Sequence, residues 1–474
     1  MIPIRPVPKR YAWGSCDRLQ SLVPAMRGVL GPLAELWYGG HPQSPSTVDI
    51  RGVEAPLDDM IRGDPDRMLG VVASHRWGPM LPYLLKVIAV RTPLSLQVHP
   101  LDFEARAGFH RENAAGVPLD ARERSFRDVH GKSEMVVALD DFRASIGFAP
   151  IAMQIAALRL VDHDRARLMV RMLEGKADAS PAADDAREAD SRMPDAAVSW
   201  SAPARSVFRA FWVAVASDCD AGKSTDWLAL LTAARERLDR HLTAGRMRDG
   251  AACSAGVAAS PSFMDDVVRL MFDNAVDAAR SFPDDPTVLA LLMMNPVRLR
   301  PGEGAFITPG TPHAYIRGVG AEIMTNSDNV LRAGLTVKYR DVPNALRNLR
   351  PMPEPVRRPE CFAGVDGVVY RPGLDEFALK LGHVSGAYAD APLDAHAFHE
   401  TAGIVPPPEC ASRPRMLVCL SGELRCSSGT GAVVLRQGDA VFVPAADGSI
   451  VITARRNGGN AKTGGAYLLA STGL

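Results

Sequence analysis

Two different spacings of apolar residues alternate along this chain, and their order constrains the fold more than any other feature. Residues 1–148 and 295–350 carry short apolar runs between Pro and Gly turns, as in LPYLLKVIAV (81–90) and RTPLSLQVHP (91–100), which indicates β-strands. Residues 150–283 place apolar side chains three and four positions apart, as in DWLALLTAARERLDRHL (226–242), which indicates amphipathic helices. The helical stretch therefore interrupts a β-structure that resumes after it.

A second run of short strands follows a proline-rich connector. In LVCLSGELRC (417–426) and GAVVLRQGDAVFVP (431–444), strands alternate with tight turns in the way that is typical of jelly-roll barrels. The chain is therefore predicted to be mainly β with an α-helical insert and two barrels. The predicted parts are a first barrel segment (1–149), a helical insert (150–284), a barrel return segment (285–350) and a second barrel (351–474). Within the insert, the Ala/Asp/Ser-rich segment 176–199 is predicted to be a mobile linker.

The charge balance argues against a nucleic-acid or membrane-surface partner. Basic and acidic side chains number 54 each, so the formal net charge is zero. Proteins that bind either surface usually carry a basic field that attracts phosphates. A small phosphorylated ligand needs only a few local cations, so it remains compatible with this balance. We expect no nucleic-acid and no membrane partner.

Cysteine usage and hydropathy indicate the compartment. The seven cysteines are scattered, odd in number and free of CxxC pairs, which argues against a disulfide framework. No unbroken apolar run approaches the length of about 18 residues that suggests a spanning helix. We expect a soluble, cytoplasmic protein. A monomer is the starting expectation, because nothing in the sequence reports the oligomeric state.

A small set of polar residues suggests a metal site. Gln97 and His99 lie two apart in SLQVHP, so on a strand both side chains point to one face. Glu134 in GKSEMVVAL and His313 in TPGTPHAYIRG add a carboxylate and a second imidazole. Two imidazoles, a carboxylate and an amide oxygen suit a divalent metal, zinc first of all, with a further position left to solvent or substrate. The separation between these residues is not a known local ligand spacing.

Two other patterns are predicted not to be sites. The segment SDCDAGKST (217–225) resembles a phosphate loop, but Ser217 replaces its first glycine and two aspartates would repel a triphosphate. The last domain contains three histidines: His383, His396 and His399. His396 and His399 are three positions apart, so on a strand their side chains would point to opposite faces. We expect these histidines to be solvated.

Five blocks give the chain a family resemblance. RYAWGS (10–15), AELWYGGHPQSPS (34–46), LPYLLKVIAVRTPLSLQVHP (81–100), GKSEMVVAL (131–139) and TPHAYIRGVGAEIMTNSDNVLRAGLTVKYRDV (311–342) occur in the order found in the class I mannose-6-phosphate isomerases. The chain resembles that family across its first barrel and return segment. The helical insert and the last barrel match only in outline. The resemblance implies a catalytic cupin-type barrel, an inserted helical domain and a second cupin-type barrel.

The resemblance also implies an activity and roles for individual residues. It implies interconversion of D-mannose 6-phosphate and D-fructose 6-phosphate through an enediol(ate) stabilised by one Zn²⁺ per chain, in carbohydrate metabolism that feeds GDP-mannose biosynthesis. The implied residues fall into three groups: zinc ligands Gln97, His99, Glu134 and His313; catalytic Arg332, Lys132 and Glu322; and substrate-binding Lys86 and Lys338. We add Ser95 as a candidate hydrogen-bond donor to the phosphate. The general base stays open among Glu322, a desolvated lysine and a zinc-bound hydroxide.

One position departs from the family pattern. The family usually has an Asn-His-Lys-Pro-Glu run, and this chain has His130-Gly131-Lys132-Ser133-Glu134, so the family histidine falls on Gly131. Either His130 takes over from the adjacent position or that histidine is dispensable here. Two alternative functions therefore remain: a related cupin isomerase acting on glucose 6-phosphate, and a non-enzymatic sugar-phosphate binding protein.

Overall fold

The structure is a computed structural model that describes residues 1–50, 52–176, 183–217, 224–252, 263–384, 413–454 and 464–473. The strands are β1 (Ile2–Arg5), β2 (Val7–Lys9), β3 (Glu35–Tyr38), β4 (Thr47–Ile50), β5 (Val53–Pro56), β6 (Tyr83–Val90), β7 (Leu96–Val98), β8 (Glu134–Ala138), β9 (Phe142–Phe148), β10 (Met294–Leu299), β11 (Gly304–Ile307), β12 (His313–Thr325), β13 (Leu331–Gly334), β14 (Glu360–Gly364), β15 (Gly367–Arg371), β16 (Ala378–Val384), β17 (Arg415–Ser421), β18 (Glu423–Ser428), β19 (Gly431–Arg436), β20 (Ala440–Val443), β21 (Val451–Ala454) and β22 (Gly465–Ser471).

The helices lie in two groups, one before β8 and one between β9 and β10, with α12 following β13. They are α1 (Arg18–Leu22), α2 (Leu57–Gly63), α3 (Pro65–Leu69), α4 (Val71–Trp77), α5 (Asp102–Ala114), α6 (Ile151–Leu158), α7 (Asp164–Leu173), α8 (Ala183–Ser191), α9 (Ala202–Val215), α10 (Trp227–Ala252), α11 (Phe263–Ser281) and α12 (Val342–Arg347). The 3-10 helices are Pro24–Met26, Asp195–Ser199, Pro286–Met293 and Ala445–Asp447. Among the residues described, no helix has the length and apolar character needed to cross a membrane.

The central sheet has ten strands and is organised around β12. This strand of 13 residues pairs with β6, β7, β8 and β9, while β13 pairs with β7 and β11 with β8. Strand β6 is buried along its whole length, because sheet neighbours and apolar packing cover both of its faces. The prediction of a mainly β chain with intervening helices is confirmed, since α6–α11 separate β9 from β10.

A second sheet joins the two ends of the chain. Its nine strands run in the order β14-β15-β16-β22-β17-β20-β1-β4-β5, so N-terminal β1 pairs with C-terminal β20. A buried apolar cluster packs this sheet against β6 and β8 of the central sheet. Periodicity identifies such strands, but their partners depend on contacts between residues hundreds of positions apart.

The prediction of a mobile linker at 176–199 is wrong for residues 183–199, which the structure describes as helical segments. Helix α8 buries Ala186 and Ala189 against the central helical cluster, and a 3-10 helix follows it. Arg209 fixes the end of α8 with two hydrogen bonds to Asp190, at 2.7 and 2.6 Å. The alanines that make the segment look featureless are small enough to pack closely against α9.

Candidate metal and substrate site

Strand pairing places two of the four predicted metal ligands, His313 and Gln97, side by side, and side-chain contacts show that the other two meet them. His313, the first residue of β12, lies opposite Gln97 of β7. Glu134 begins β8 and lies opposite Met324 near the other end of β12. His99 follows β7 directly, so it shares the face of Gln97, as the spacing of two predicts.

The ligand atoms of three of these residues converge in a buried cluster. His99 Nε2 lies 3.2 Å from Glu134 Oε1, and His313 Nε2 lies 3.3 Å from Glu134 Oε2. The candidate metal-binding atoms of His99, Glu134 and His313 all lie within 4.8 Å of one another. Gln97 borders the cluster, because its amide nitrogen is 3.1 Å from His313 Nε2. Ser95 Oγ lies 3.5 Å from Gln97 Oε1, beside the ligands.

Hydrogen bonds on the far side of each imidazole set its tautomer. His99 Nδ1 donates to the carbonyl of Asn329 at 2.9 Å, and His313 Nδ1 donates to the carbonyl of Thr311 at 3.0 Å. A carbonyl only accepts, so in the neutral rings both Nε2 atoms carry lone pairs aimed at Glu134. Lone pairs that face a carboxylate at about 3 Å repel it unless a cation lies among them.

Two buried atoms without hydrogen-bond partners in the described part of the chain, and the protonation states of the side chains that carry them, suit a bound metal cation. Among the residues described, His99 Nε2 and Glu134 Oε2 are buried without a hydrogen-bond partner. Burial lowers the pKa of His99 to about 3, so the ring is neutral and available as a ligand. Burial opposes ionisation of Glu134, but the Lys132 ammonium, 2.9 Å away, holds the pKa of this carboxyl well below its usual range. A neutral imidazole and an ionised carboxylate are the forms that Zn²⁺ requires.

A buried ion pair lies farther along the same two strands. Lys86 of β6 is directly opposite Glu322 of β12, and their charged atoms are 2.9 Å apart. Burial raises the pKa of Glu322, and the nearby carboxylates of Glu134 and Glu35 raise it further against the opposing effect of Lys86. Burial alone would lower the pKa of Lys86, but Glu322, Glu35 and Glu134 together raise it.

A group of cations without acidic partners lies beside the metal ligands. Arg332 of β13 is opposite Gln97, and burial together with the neighbouring guanidinium of Arg127 lowers its pKa. Burial and Arg332 lower the pKa of Lys338, whose ammonium lies 4.3 Å from the centre of the Tyr11 ring. Among the described residues, none of these three cations forms an ion pair, so the group is suited to an anion.

The sequence prediction omitted Arg127. It lies four residues before Gly131, outside the blocks that carry the resemblance, and arginine is common throughout this chain. Its proximity to Arg332 follows only from the folded path of residues 124–134. No sequence signal separates it from the other arginines.

His41 lies close to the buried ion pair, through its contact with Trp37. It is buried, with Nε2 lying 3.2 Å from Asp328 Oδ1 and its ring packed edge-on against Trp37. Trp37 in turn lies beneath the ammonium groups of Lys86 and Lys9, at 5.1 and 4.2 Å from its ring centre. The indole supports two cations at the entrance to the buried ion pair.

The surroundings of position 131 give no support to replacement of the family histidine by His130. His130 is exposed and does not replace the family histidine. A Cβ atom on Gly131 would lie 2.8 Å from the backbone nitrogen of Asp102 and 2.9 Å from its Oδ1. Gly131 therefore permits the close approach of the first turn of α5, and the pocket is assembled without a histidine there.

The two patterns predicted not to be sites lie mostly outside the described residues. His383 is exposed on β16, whereas positions 396 and 399 lie outside the described residues. Positions 218–223 of the phosphate-loop-like segment also lie outside them. Asp226, rather than a residue of that segment, caps α10 by accepting from the backbone nitrogen of Ala229 at 2.9 Å.

Comparisons with known proteins agree with this site. The family model described as phosphomannose isomerase type I, catalytic domain, matches residues 1–151. The mannose-6-phosphate isomerase of Escherichia coli (strain K12) is 29% identical over 447 residues, which cover 94% of this chain and 95% of that protein. Mannose-6-phosphate isomerase 1 of Arabidopsis thaliana is 27% identical over 431 residues, covering 87% and 81%.

Solved structures give the same relationship in three dimensions. A zinc-bound mannose 6-phosphate isomerase superposes with a TM-score of 0.70 at 26% identity, covering 100% of this chain and 99% of that one. The Salmonella typhimurium enzyme bound to its substrate F6P and to zinc gives the same TM-score and identity, with both chains covered completely, at 100%.

Proposed function

We propose that this chain, which belongs to the class I mannose-6-phosphate isomerase family, interconverts D-mannose 6-phosphate and D-fructose 6-phosphate. The observation that carries the proposal is the convergence of His99, Glu134 and His313 in a buried cluster, in which His99 Nε2 and Glu134 Oε2 have no hydrogen-bond partner among the described residues. Unpaired cations border that cluster, so a metal site and an anion site adjoin. This combination fits a metal-assisted reaction of a sugar phosphate.

We propose that Gln97, His99, Glu134 and His313 hold Zn²⁺. The two neutral imidazoles and the ionised carboxylate fit zinc chemically, and Gln97 would contribute its amide oxygen. When bound, Zn²⁺ supplies Lewis acidity toward a substrate oxygen. Lys132 balances the charge of Glu134 from 2.9 Å and keeps that ligand ionised.

The phosphate is assigned to the unpaired cations beside the metal ligands. Arg127 and Lys338 lie near Arg332, and none of the three has an acidic partner among the residues described. Ser95 remains a candidate donor close to Gln97. Lys86 is engaged with Glu322, so it would act on the substrate through that pair rather than as a free cation.

Isomerisation requires removal of a proton from carbon 2 and delivery of a proton to carbon 1. Glu322 is suited to carry that proton, because burial raises its pKa and Lys86 can share the proton at 2.9 Å. Arg332 stays charged at neutral pH and is placed to stabilise negative charge that develops on the substrate oxygens. Lys132 completes the proposed catalytic group.

We also retain the predicted organisation as part of the proposal. It comprises a cupin-type catalytic barrel (1–149 and 285–350), a helical insert (150–284) and a C-terminal cupin-like barrel (351–474). A cytoplasmic location and the absence of nucleic-acid or membrane partners complete it, supported by the zero formal net charge and the scattered cysteines, and a monomer is kept as the starting expectation.

A coupled assay with mannose 6-phosphate tests the reaction. The protein is expected to be active, to lose activity when chelation removes its metal, and to regain it with Zn²⁺. Full activity at substoichiometric metal would contradict the metal role. Turnover of glucose 6-phosphate alone would favour the related isomerase, and binding without any turnover would favour a binding protein.

An arginine substitution tests the catalytic assignment. Arg332→Ala is expected to lower kcat by about 100-fold or more, as removal of one charge-stabilising donor does, with zinc content unchanged. Arg317→Ala is the matched control, because Arg317 is exposed on β12. Equal kcat values for the two variants would remove Arg332 from the catalytic group.

A further inference from the structure

Asn329 occupies a position where two parts of the site meet. It lies between β12 and β13 and is completely buried. Its backbone carbonyl accepts the Nδ1–H of His99 at 2.9 Å, the bond that turns Nε2 of that ring toward Glu134. The backbone of Asn329 therefore sets the tautomer of a proposed zinc ligand.

The side-chain amide of Asn329 faces a different segment. Its oxygen accepts from the backbone nitrogens of Arg127 and Asp128 at 2.7 and 3.3 Å. Its nitrogen donates to the carbonyls of Asp128 and His130 at 3.0 and 2.8 Å, and to Asp128 Oδ1 at 3.1 Å. Both ends of the amide are thus committed to residues 127–130, which lead directly to Lys132 and Glu134.

The Asp128 side chain bonds back to residues 327 and 328, on the segment that carries Asn329. Its carboxylate accepts from the hydroxyl of Ser327 at 2.9 and 3.1 Å and from the backbone nitrogen of Asp328 at 2.8 Å. Residues 327–329 and 127–130 are consequently joined by reciprocal side-chain bonds. A shift of either segment would break several buried hydrogen bonds at once, so the two move as one unit.

We infer that Asn329 is a positioning residue that couples the His99 metal ligand to the segment carrying Arg127 of the anion site. The inference rests on the proposed function and deepens it. Arg127 lies on the coupled segment, and its guanidinium lowers the pKa of Arg332 by proximity. One buried amide therefore sets the separation between His99 and the segment that carries Arg127. That separation governs how a sugar phosphate spans the site.

The test replaces the amide with a carboxylate of the same shape. In Asn329→Asp the new oxygen cannot donate to the carbonyls of Asp128 and His130, and it repels the Asp128 carboxylate. The matched control is Asn326→Asp, because Asn326 is also buried in the same connection and its side-chain amide donates to the carbonyl of Leu81, away from residues 127–130. Both variants add a buried carboxylate, but only the first faces residues 127–130.

Three measurements separate positioning from general destabilisation. These are the zinc affinity by chelator competition, the binding of inorganic phosphate by isothermal titration, and KM against kcat for fructose 6-phosphate. Asn329→Asp is expected to weaken zinc binding by about 10-fold, because a shift of residues 327–329 would move the backbone carbonyl that accepts from His99. It is also expected to raise KM and the phosphate dissociation constant by about 10-fold, equivalent to about 1.4 kcal/mol.

The control and a second variant complete the design. Asn326→Asp is expected to lower the thermal midpoint while leaving all three measurements near their wild-type values. If the two Asn variants change them equally, Asn329 is merely structural and the inference fails. If Asn329→Asp does not fold, Asp128→Asn serves instead and is expected to weaken phosphate binding. Unchanged phosphate binding in that variant would also overturn the coupling.

These measurements distinguish failure of this inference from failure of the proposed function. Zinc affinity and phosphate binding require no turnover. Absence of isomerase activity in the wild-type protein would refute the proposed reaction, while the affinities would still decide the role of Asn329. An active wild type with no difference between the Asn329 and Asn326 variants would refute the positioning role alone.

Discussion

The buried Lys86–Glu322 pair allows a prediction whose size and pH dependence both follow from the structure. The two side chains are 7% and 6% exposed, and their charged atoms are 2.9 Å apart. Lys86→Met removes the charge while retaining most of the stem. Removal of one partner of a buried pair costs about 3–5 kcal/mol, because the remaining charge loses its compensation. That is a large share of the roughly 5–15 kcal/mol by which folded domains are stable.

The pH dependence of this loss has a definite sign. Burial, Glu134 and Glu35 already raise the pKa of Glu322 above its usual 4.5, and loss of Lys86 raises it further. A raised pKa in the folded state stabilises the protein below the pKa of the unfolded chain. That stabilisation is lost as pH rises through the folded-state pKa. Lys86→Met is therefore expected to be closer to wild type in stability at pH 5 than at pH 8.

Urea unfolding at pH 5 and pH 8 measures this difference. The Trp37 ring centre lies 5.1 Å from Lys86 Nζ, so tryptophan fluorescence includes a reporter at the site. The double variant Lys86→Met/Glu322→Gln leaves no unpaired charge and should recover much of the lost free energy of unfolding. The reasoning would be refuted if Lys86→Met lost less than about 0.5 kcal/mol of unfolding free energy relative to wild type. It would also be refuted if that loss were larger at pH 5 than at pH 8.

Three further predictions address other parts of the molecule. Gly131→His should lower both the thermal midpoint and kcat/KM, because its Cβ would meet Asp102 at 2.8 Å; a gain in activity would contradict the close-approach argument. Iodoacetamide at pH 8 should label exposed Cys16 before Cys419, whose pKa burial raises to about 12, and peptide mass spectrometry would reveal the opposite order. Tyr83→Phe should cost about 1 kcal/mol, since it removes a buried hydroxyl that donates between the carbonyls of Pro414 and Ala470; an unchanged thermal midpoint would argue against this.

The sequence predicted the candidate metal-binding residues because residue type and local spacing are enough to suggest them. A spacing of two places Gln97 and His99 on one strand face whatever the rest of the fold. Residue type alone makes His313 and Glu134 candidate ligands, and the resemblance to a known family adds Arg332. The change from period two to a three- and four-residue spacing predicted the helical interruption between β9 and β10 for the same local reason.

Tertiary structure decided which of these residues meet and what supports them. Strand β12 brings four other strands into register, and neither that register nor the pairing of β1 with β20 is expressed in local spacing. A hydrogen bond spanning about 200 positions joins the backbone of Arg127 to the side chain of Asn329. The sequence therefore determined which residue types and strand faces were available, whereas long-range packing determined the distances on which binding and catalysis depend.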